Sequence, residues 1–257
     1  MLKLFLQLLR RDFLILRQEF WAKLLNYACW LAPNIVIFNY ILPGLGIEKS
    51  YGVFILVGGV ATVGLFTAVS SIPELLNDIE DNHSIYYYLS LPLYQWLTLV
   101  RYALAFSMSA FLVSFMLLPV CKLLLWDLLD LTNFSLVKYL LIFPVMQIFF
   151  GFFALLITAH TSSIVRYEKA WVRVVFPLWF FGGYQFPWVV MHTRLPYLAY
   201  LNLLNPITYC LEGFRAAVLG QAGYINFWVC LGMLLLLTLV VAVWGVSKLQ
   251  KRLDCVS

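Results

Sequence analysis

Charged side chains are scarce in this chain, and their scarcity decides which class of protein it belongs to. Only 11% of the 257 residues are Asp, Glu, Lys or Arg, whereas 63% are hydrophobic. A soluble domain has about 25% charged residues. The sequence therefore excludes an ordinary soluble domain and predicts an integral membrane protein. The net charge of +5 does not indicate nucleic-acid binding, because the basic residues lie beside the apolar runs.

The sequence also lacks the residue patterns that catalysis, metal binding and ion coupling require. His83, His160 and His192 lie far apart, and none of the five scattered cysteines has metal-ligand spacing. Residues 59–64 have the glycine spacing of a phosphate loop, but an apolar pair follows where Lys and Ser or Thr are needed. No predicted span has the mid-depth carboxylates of an ion-coupled pump. An enzyme or an independent secondary transporter is therefore disfavoured, and no metal or cofactor is expected in this chain.

Long apolar runs make up most of the chain, and they are continuous, without alternation at period two. This pattern favours transmembrane helices over a β-barrel, and each crossing needs about 20 residues. We predict an all-α integral membrane protein in which residues 1–257 form one domain. Its six spans are predicted at 24–42, 51–72, 97–120, 139–162, 174–191 and 227–246.

Residues 1–23 precede the first span with apolar and basic side chains at helical spacing. They predict an amphipathic helix in the membrane interface, either a simple anchor or the frame of a lateral entrance for an amphipathic substrate. The basic residues also predict orientation, because positive charge marks the cytoplasmic side. Both termini are predicted to be cytoplasmic, since that side collects all 17 Lys and Arg residues except Lys49, Lys122, Lys138, Arg194 and Arg215.

A polar segment at 75–92 separates the second and third spans, and it is the one long break with clustered acids. Charge counting places it in the cytoplasm. It is either a solvated loop near the headgroups or a docking element for a soluble partner, and its tyrosines fit an interfacial aromatic belt equally well. Its candidate contact residues are Asp78, Glu80, Asp81, His83, Tyr86 and Tyr87.

Polar side chains within the spans are candidates for lining a pathway. These are Asn34, Gln147 and Thr158. In the fourth span, Gln147 and Thr158 share one helical face with Gly151, Ala154 and Ser162. This stripe serves either close helix packing through small residues or a wet surface that faces a substrate.

Residues 192–224, between the fifth and sixth spans, are apolar but interrupted by prolines, as in re-entrant half-helices. Within them, NPITYCLEGFR at 205–215 resembles the NP-x-T-Y-x-x-E-x-x-R pattern of ABC-2 type exporter permeases. The glycine and Phe-Pro passage at 181–187 and LSLP at 89–92 resemble further parts of that family. One departure is the sequence at 81–85, which replaces the family's usual Arg/Glu-Gly-Thr run and indicates a specifically matched partner. The residues of the pattern assigned to the re-entrant segment are Asn205, Pro206, Tyr209, Glu212 and Arg215.

The resemblance implies a function that accounts for the missing phosphate loop. Permeases of this family work as a dimer, here with a second copy of this chain, and with a separate ABC ATPase subunit that binds ATP and Mg. By this resemblance, 75–92 is a cytoplasmic coupling helix between spans two and three that contacts the ATPase. Glu212 and Arg215 then form either a mutually neutralising pair or part of an outer gate.

The implied location is the bacterial plasma membrane, with membrane lipid around the spans and no nucleic-acid partner. The expected substrate is a small amphipathic, drug-like molecule or a lipid. The alternatives are a polysaccharide or lipid-linked glycan and, further removed, transport driven by an ion gradient.

Overall fold

A computed structural model describes residues 1–81, 84–124 and 132–254. Within these ranges the regular secondary structure consists of α- and π-helices, with no strand. This confirms the prediction of an all-α membrane protein. His83 lies outside the described residues. The α-helices are α1 Leu2–Val36, α2 Leu42–Gly44, α3 Lys49–Ser70, α4 Ile72–Glu80, α5 Ser84–Leu89, α6 Gln95–Leu124, α7 Leu136–His160, α8 Ile164–Ala170, α9 Phe176–Trp179, α10 Trp188–Arg194, α11 Pro196–Asn202, α12 Pro206–Val218 and α13 Phe227–Asp254. The π-helical stretches are π1 Ile37–Ile41, π2 Trp171–Val175 and π3 Phe180–Tyr184.

The described residues include 5 helices that are long and apolar enough to cross a membrane, or 6 if one bent pair counts as a span. The bent pair is Ile164–Tyr184 with Trp188–Arg194, and its two parts meet at 87°. The straight candidates are Leu2–Gly44, Lys49–Glu80, Gln95–Leu123, Leu136–His160 and Phe227–Asp254. These helices extend beyond the predicted spans, because the spans were estimated from apolar residues alone.

The predicted interfacial helix at 1–23 and the predicted span at 24–42 are one continuous helix. This helix is α1, which π1 follows directly. Residues 2–32 contain neither proline nor glycine, so no residue between the two predicted parts interrupts the helical hydrogen bonds. The first proline is Pro33, and the switch to π-type bonding follows it within one turn.

The fifth span begins and ends earlier than the predicted 174–191. Its helix starts at Ile164, ten residues before the predicted start, and its first part ends at Tyr184. Gly183 has a φ of 91°, a left-handed conformation that glycine adopts without steric cost. Pro187 then begins a new direction, since proline cannot donate the hydrogen bond that would continue the helix.

Helices α3 and α12 form the centre of the bundle. Helix α3 packs against α1, α6, α7 and α12, and nearly all of its residues from Gly52 to Val69 are buried. Its many small residues allow this close approach. Helix α12 is buried from Ile207 to Val218 and lies between α3, α7 and α13. The segment predicted to be broken at 192–224 therefore contains the end of α10, the short helix α11 and the buried helix α12.

Candidate coupling and gating sites

The start of α12 shows why the Asn-Pro-x-Thr-Tyr sequence forms a helix boundary. Asn205 caps the helix, with its Oδ1 accepting a hydrogen bond from the Ile207 N–H at 3.0 Å. Pro206 occupies the first turn, where no N–H is needed. Thr208 and Tyr209 donate their hydroxyl hydrogens to the carbonyls of residues 202 and 203, at 3.2 and 2.7 Å. The motif therefore binds α12 to the turn that precedes it.

Arg215, one turn from the end of α12, binds the carbonyls at the break in the fifth span. It is fully buried, and its Nη1 and Nη2 donate to the carbonyls of Gly183 and Tyr184 at 2.5 and 2.8 Å. Its Nε donates to the Phe54 carbonyl of α3 at 3.2 Å. The guanidinium also lies 3.6 Å from the centre of the Phe54 ring. One side chain thus satisfies backbone groups that the break leaves without helical partners.

Glu212 accepts hydrogen bonds from two backbone N–H groups that follow the break along the chain. It is also fully buried. Its Oε1 accepts from the Trp188 N–H at the start of α10, at 2.8 Å, and its Oε2 accepts from the Ile225 N–H just before α13, at 3.0 Å. The Tyr51 hydroxyl donates to the Gln185 carbonyl at 2.9 Å. Three carbonyls and one N–H group around the break are therefore paired with side chains.

Glu212 and Arg215 were expected to form a neutralising pair or part of an outer gate. No ion pair joins them among the described residues, although they lie three residues apart on α12. Burial raises the pKa of Glu212, and its two N–H donors and Arg215 oppose this shift. Burial lowers the pKa of Arg215 to about 10, opposed by Glu212 and nearby tyrosines, so the guanidinium stays charged at neutral pH.

The predicted coupling segment consists of α4, α5 and the turns that follow. Helix α4 is amphipathic, and it buries Leu75, Leu76 and Ile79 beside α7 and α8. Glu80 also contacts neighbouring helices. Its Oε2 accepts a hydrogen bond from the Ile164 N–H at 3.3 Å, and its Oε1 lies 3.9 Å from Arg252 of α13. This acid therefore connects α4 to the start of the fifth span and to the last helix.

The other predicted contact residues differ in exposure. Asp81 and Tyr87 are exposed, Tyr87 with 65% of its surface accessible. Tyr86 is half-buried and Asp78 lines a cavity beside α1. Asp81 and Tyr87 are therefore the two described members of the predicted set that are best placed to contact another protein.

Arg252, near the end of α13, holds the end of α7 at the same end of the bundle. Its Nη1 donates to the carbonyls of Thr158 and Thr161 at 2.9 and 2.5 Å, and its Nη2 donates to that of Ser162 at 3.1 Å. The sequence placed Arg252 only among the basic residues of the cytoplasmic side. Its contacts could not be inferred, because its partners are about 90 residues away along the chain.

A second site that sequence reasoning missed joins α1 to α5 and α6. Asp12 and Arg101 are both buried, and their nearest charged atoms are 3.4 Å apart. Arg11 also pairs with Asp12 at 3.2 Å and donates a hydrogen bond to the Tyr88 hydroxyl. The one available signal was an acid, Asp12, that has no other acid near it in the first 18 residues.

The three predicted pathway residues do not share a cavity. Asn34 accepts from the Tyr184 hydroxyl at 3.4 Å, and Thr158 is buried with its hydroxyl bonded to the Ala154 carbonyl. Gln147 is 1% exposed, and its amide makes no hydrogen bond within the described part of the chain. It lines an apolar groove of about 390 Å³ between α1, α6 and α7. Of the three, Gln147 alone lines a described groove.

These features define an all-α, multi-pass membrane protein. Its fifth span breaks where the buried Glu212 and Arg215 bind backbone groups. A comparison with family models matches residues 3–219 to the ABC-2 type transporter family. The chain therefore belongs to the ABC-2 type transporter family. Proteins of this family are membrane subunits of transporters and are not themselves catalytic. No curated protein and no solved structure matched the chain.

We expect Arg215→Lys to destabilise the protein, because one ammonium group cannot reproduce three directed bonds from a guanidinium fork. Buried carbonyls left without donors cost about 1–3 kcal/mol each, so the unfolding midpoint in detergent should fall by several degrees. Arg194→Lys is the matched control, because Arg194 is exposed. An unchanged midpoint for Arg215→Lys would contradict the proposed role of the fork.

Gly58→Ala tests the packing around Arg215 from the α3 side. A Cβ at position 58 would overlap the Arg215 guanidinium, so the substitution should displace it and lower the unfolding midpoint. Overpacking of this kind costs about 1–3 kcal/mol. Gly232→Ala is the control, since a Cβ there meets no atom within 4 Å. Equal effects of the two alanines would argue against a tight fit at Gly58.

Arg252→Ala should lower the unfolding midpoint, because it removes the donors that the end of α7 uses. A loss of about 2 kcal/mol is expected from the carbonyls left unpaired. Lys251→Ala, at an exposed neighbour, should change stability by less than about 0.5 kcal/mol. Similar losses for both variants would mean that Arg252 contributes no more than a surface cation.

Proposed function

We propose that this chain is the permease subunit of an ATP-driven exporter, in which two copies form the substrate pathway and a separate ABC ATPase supplies the energy. The observation that carries the proposal is the α4–α5 segment between the second and third candidate spans. It presents Asp81 and Tyr87 to solvent and is bonded to neighbouring helices through Glu80. Membership of the ABC-2 family supports the assignment. In this proposal ATP and Mg bind the partner, not this chain.

Movement of α4 would reach the break in the fifth span through a short series of contacts. Glu80 of α4 accepts a hydrogen bond from the first residue of α8, Ile164. Helix α8 continues through π2, α9 and π3 to Gly183, whose carbonyl binds Arg215. A displacement of α4 by the ATPase would therefore pull on the helix that ends at the buried centre. In this proposal Glu212 and Arg215 hold the predicted outer gate.

We propose the bacterial plasma membrane as the location, with both termini in the cytoplasm. The distribution of Lys and Arg supports this orientation, since most lie on the side of the termini. The proposed substrate is a small amphipathic molecule or a lipid. The groove of about 390 Å³ supports this choice over a glycan, because its polar lining residues are only Ser107 and Gln147.

The test is ATP hydrolysis by the purified permease with and without the ABC ATPase that co-purifies with it. Hydrolysis should require the ATPase and Mg, and Asp81→Lys should reduce co-purification several-fold without changing the unfolding midpoint. Glu48→Lys is the matched control, because this exposed acid lies at the opposite end of α3.

Two results would contradict the proposal. One is ATP hydrolysis by the permease alone. The other is transport that stops with an ionophore while ATP stays constant, which would favour coupling to an ion gradient. Normal co-purification of Asp81→Lys together with a Tyr87→Ala variant would place the ATPase contact elsewhere.

A further inference from the structure

A cavity of about 170 Å³, lined by both charged and apolar residues, lies between α1, α4, α5 and α6. Its innermost charged residues are Arg101 and Asp12, which are 1% and 8% exposed. Its lining also includes Arg11 and Glu19, whose side chains are 45% and 47% exposed. The cavity therefore reaches from the protein surface to a buried charged pair.

The buried pair has unused hydrogen-bonding capacity. Nε of Arg101 and Oδ2 of Asp12 contact each other only as an ion pair at 3.4 Å, and Nη1 of Arg101 makes no hydrogen bond with any described residue. The Arg101 guanidinium is placed over the rings of Tyr88 and Tyr102, each 4.3 Å away. Because a buried charge without hydrogen bonds is costly, this arrangement favours a polar ligand or water in the cavity.

The charges lining the cavity are unequally paired, and the imbalance indicates the ligand's chemistry. One carboxylate, Asp12, serves both Arg11 and Arg101, which leaves positive charge uncompensated on that side. On the α4 side, Glu74 and Asp78 line the cavity and form no ion pair among the described residues. Lys23, which also lines the cavity, is paired with Glu19 at 2.8 Å. A fitting ligand has a negative group for the arginines and a positive, hydrogen-bonding group for the two acids.

The surroundings of the cavity indicate that such a ligand belongs to the membrane. Ile15 of α1 is 44% exposed, and it lines the cavity together with Leu16 of α1 and Phe106 of α6. They offer hydrocarbon surface directly beside the polar lining. A ligand with a zwitterionic head and apolar chains would contact both surfaces at once.

We propose that this cavity binds the headgroup of a membrane phospholipid that bears both a phosphodiester and a primary ammonium group, such as phosphatidylethanolamine. Arg11 and Arg101 bind the phosphate, and Glu74 and Asp78 bind the ammonium group. The lipid joins α1 to α4 and α6 and stays bound as part of the folded permease. This site is separate from the apolar groove beside Gln147.

The test measures the unfolding midpoint of the full, delipidated chain in detergent with three additives: phosphatidylethanolamine, phosphatidylglycerol and inorganic phosphate. A ligand that binds only the folded state raises the midpoint, here by about 5 °C near saturation. We expect this rise with phosphatidylethanolamine, and much smaller rises with the other two. Native mass spectrometry should find the same lipid retained on the protein.

Variants assign the effect to the cavity. Arg11→Gln should lose most of the rise, whereas Arg10→Gln, at an exposed neighbour outside the cavity, should keep it. Glu74→Gln with Asp78→Asn should remove the preference for phosphatidylethanolamine over phosphatidylglycerol. These variants leave the buried Arg101 intact, so their folding does not depend on removing it.

Four results would overturn the proposal. Equal rises with both lipids would indicate a general effect of lipid, and an equal rise with inorganic phosphate would indicate a site for a free anion. No rise with any additive would leave only water in the cavity. A preference for phosphatidylethanolamine that survives in the Arg11 variant and in the double variant would place the lipid elsewhere.

Discussion

The structure depends on satisfying the backbone where the fifth span breaks. A helix that ends inside a membrane protein exposes carbonyl and N–H groups that have no water to bind, and each unsatisfied group is costly. Arg215 supplies donors to the carbonyls of Gly183 and Tyr184, and Glu212 accepts the N–H of Trp188. The break can persist because α12 brings both charges to it. The charges in turn are tolerated because the backbone groups hydrogen-bond to them.

This dependence explains the packing around the centre. Helix α12 must be buried to reach the break, and it starts at a position that Asn205 and Pro206 determine. Helix α3 passes close to the Arg215 guanidinium, and Gly58 leaves room for it because glycine has no side chain. The same principle operates at the other end of the bundle, where Arg252 binds the carbonyls that end α7. Arg215 and Arg252 thus bind carbonyls at helix ends, while the spans themselves pack through apolar and small side chains.

The two ends of the bundle are joined by the fifth span, which begins beside Glu80 and ends beside Arg215. In the proposed mechanism the α4–α5 segment receives the movement of the ATPase, and this one helix, with bonded groups at both ends, connects that segment to the proposed gate. Its π-helical stretches have less regular hydrogen bonding than an α-helix and often occur at functional positions. The N-terminal helix α1 packs against α3 and α6 and is joined to α6 by the Asp12 and Arg101 pair.

By itself, the sequence determined the class of protein, because low charge and long apolar runs permit little besides a helical membrane fold. It also located the α4–α5 segment and the start of α12, since turn and cap residues act on their immediate neighbours. Only the tertiary structure decided the partners of Glu212, Arg215 and Asp12. Arg215 binds a carbonyl 161 residues away in α3, and helical periodicity carries no information about such distant contacts. The joining of α1 into one helix and the position of the break likewise depended on packing, because apolar runs alone do not show where a helix continues or breaks.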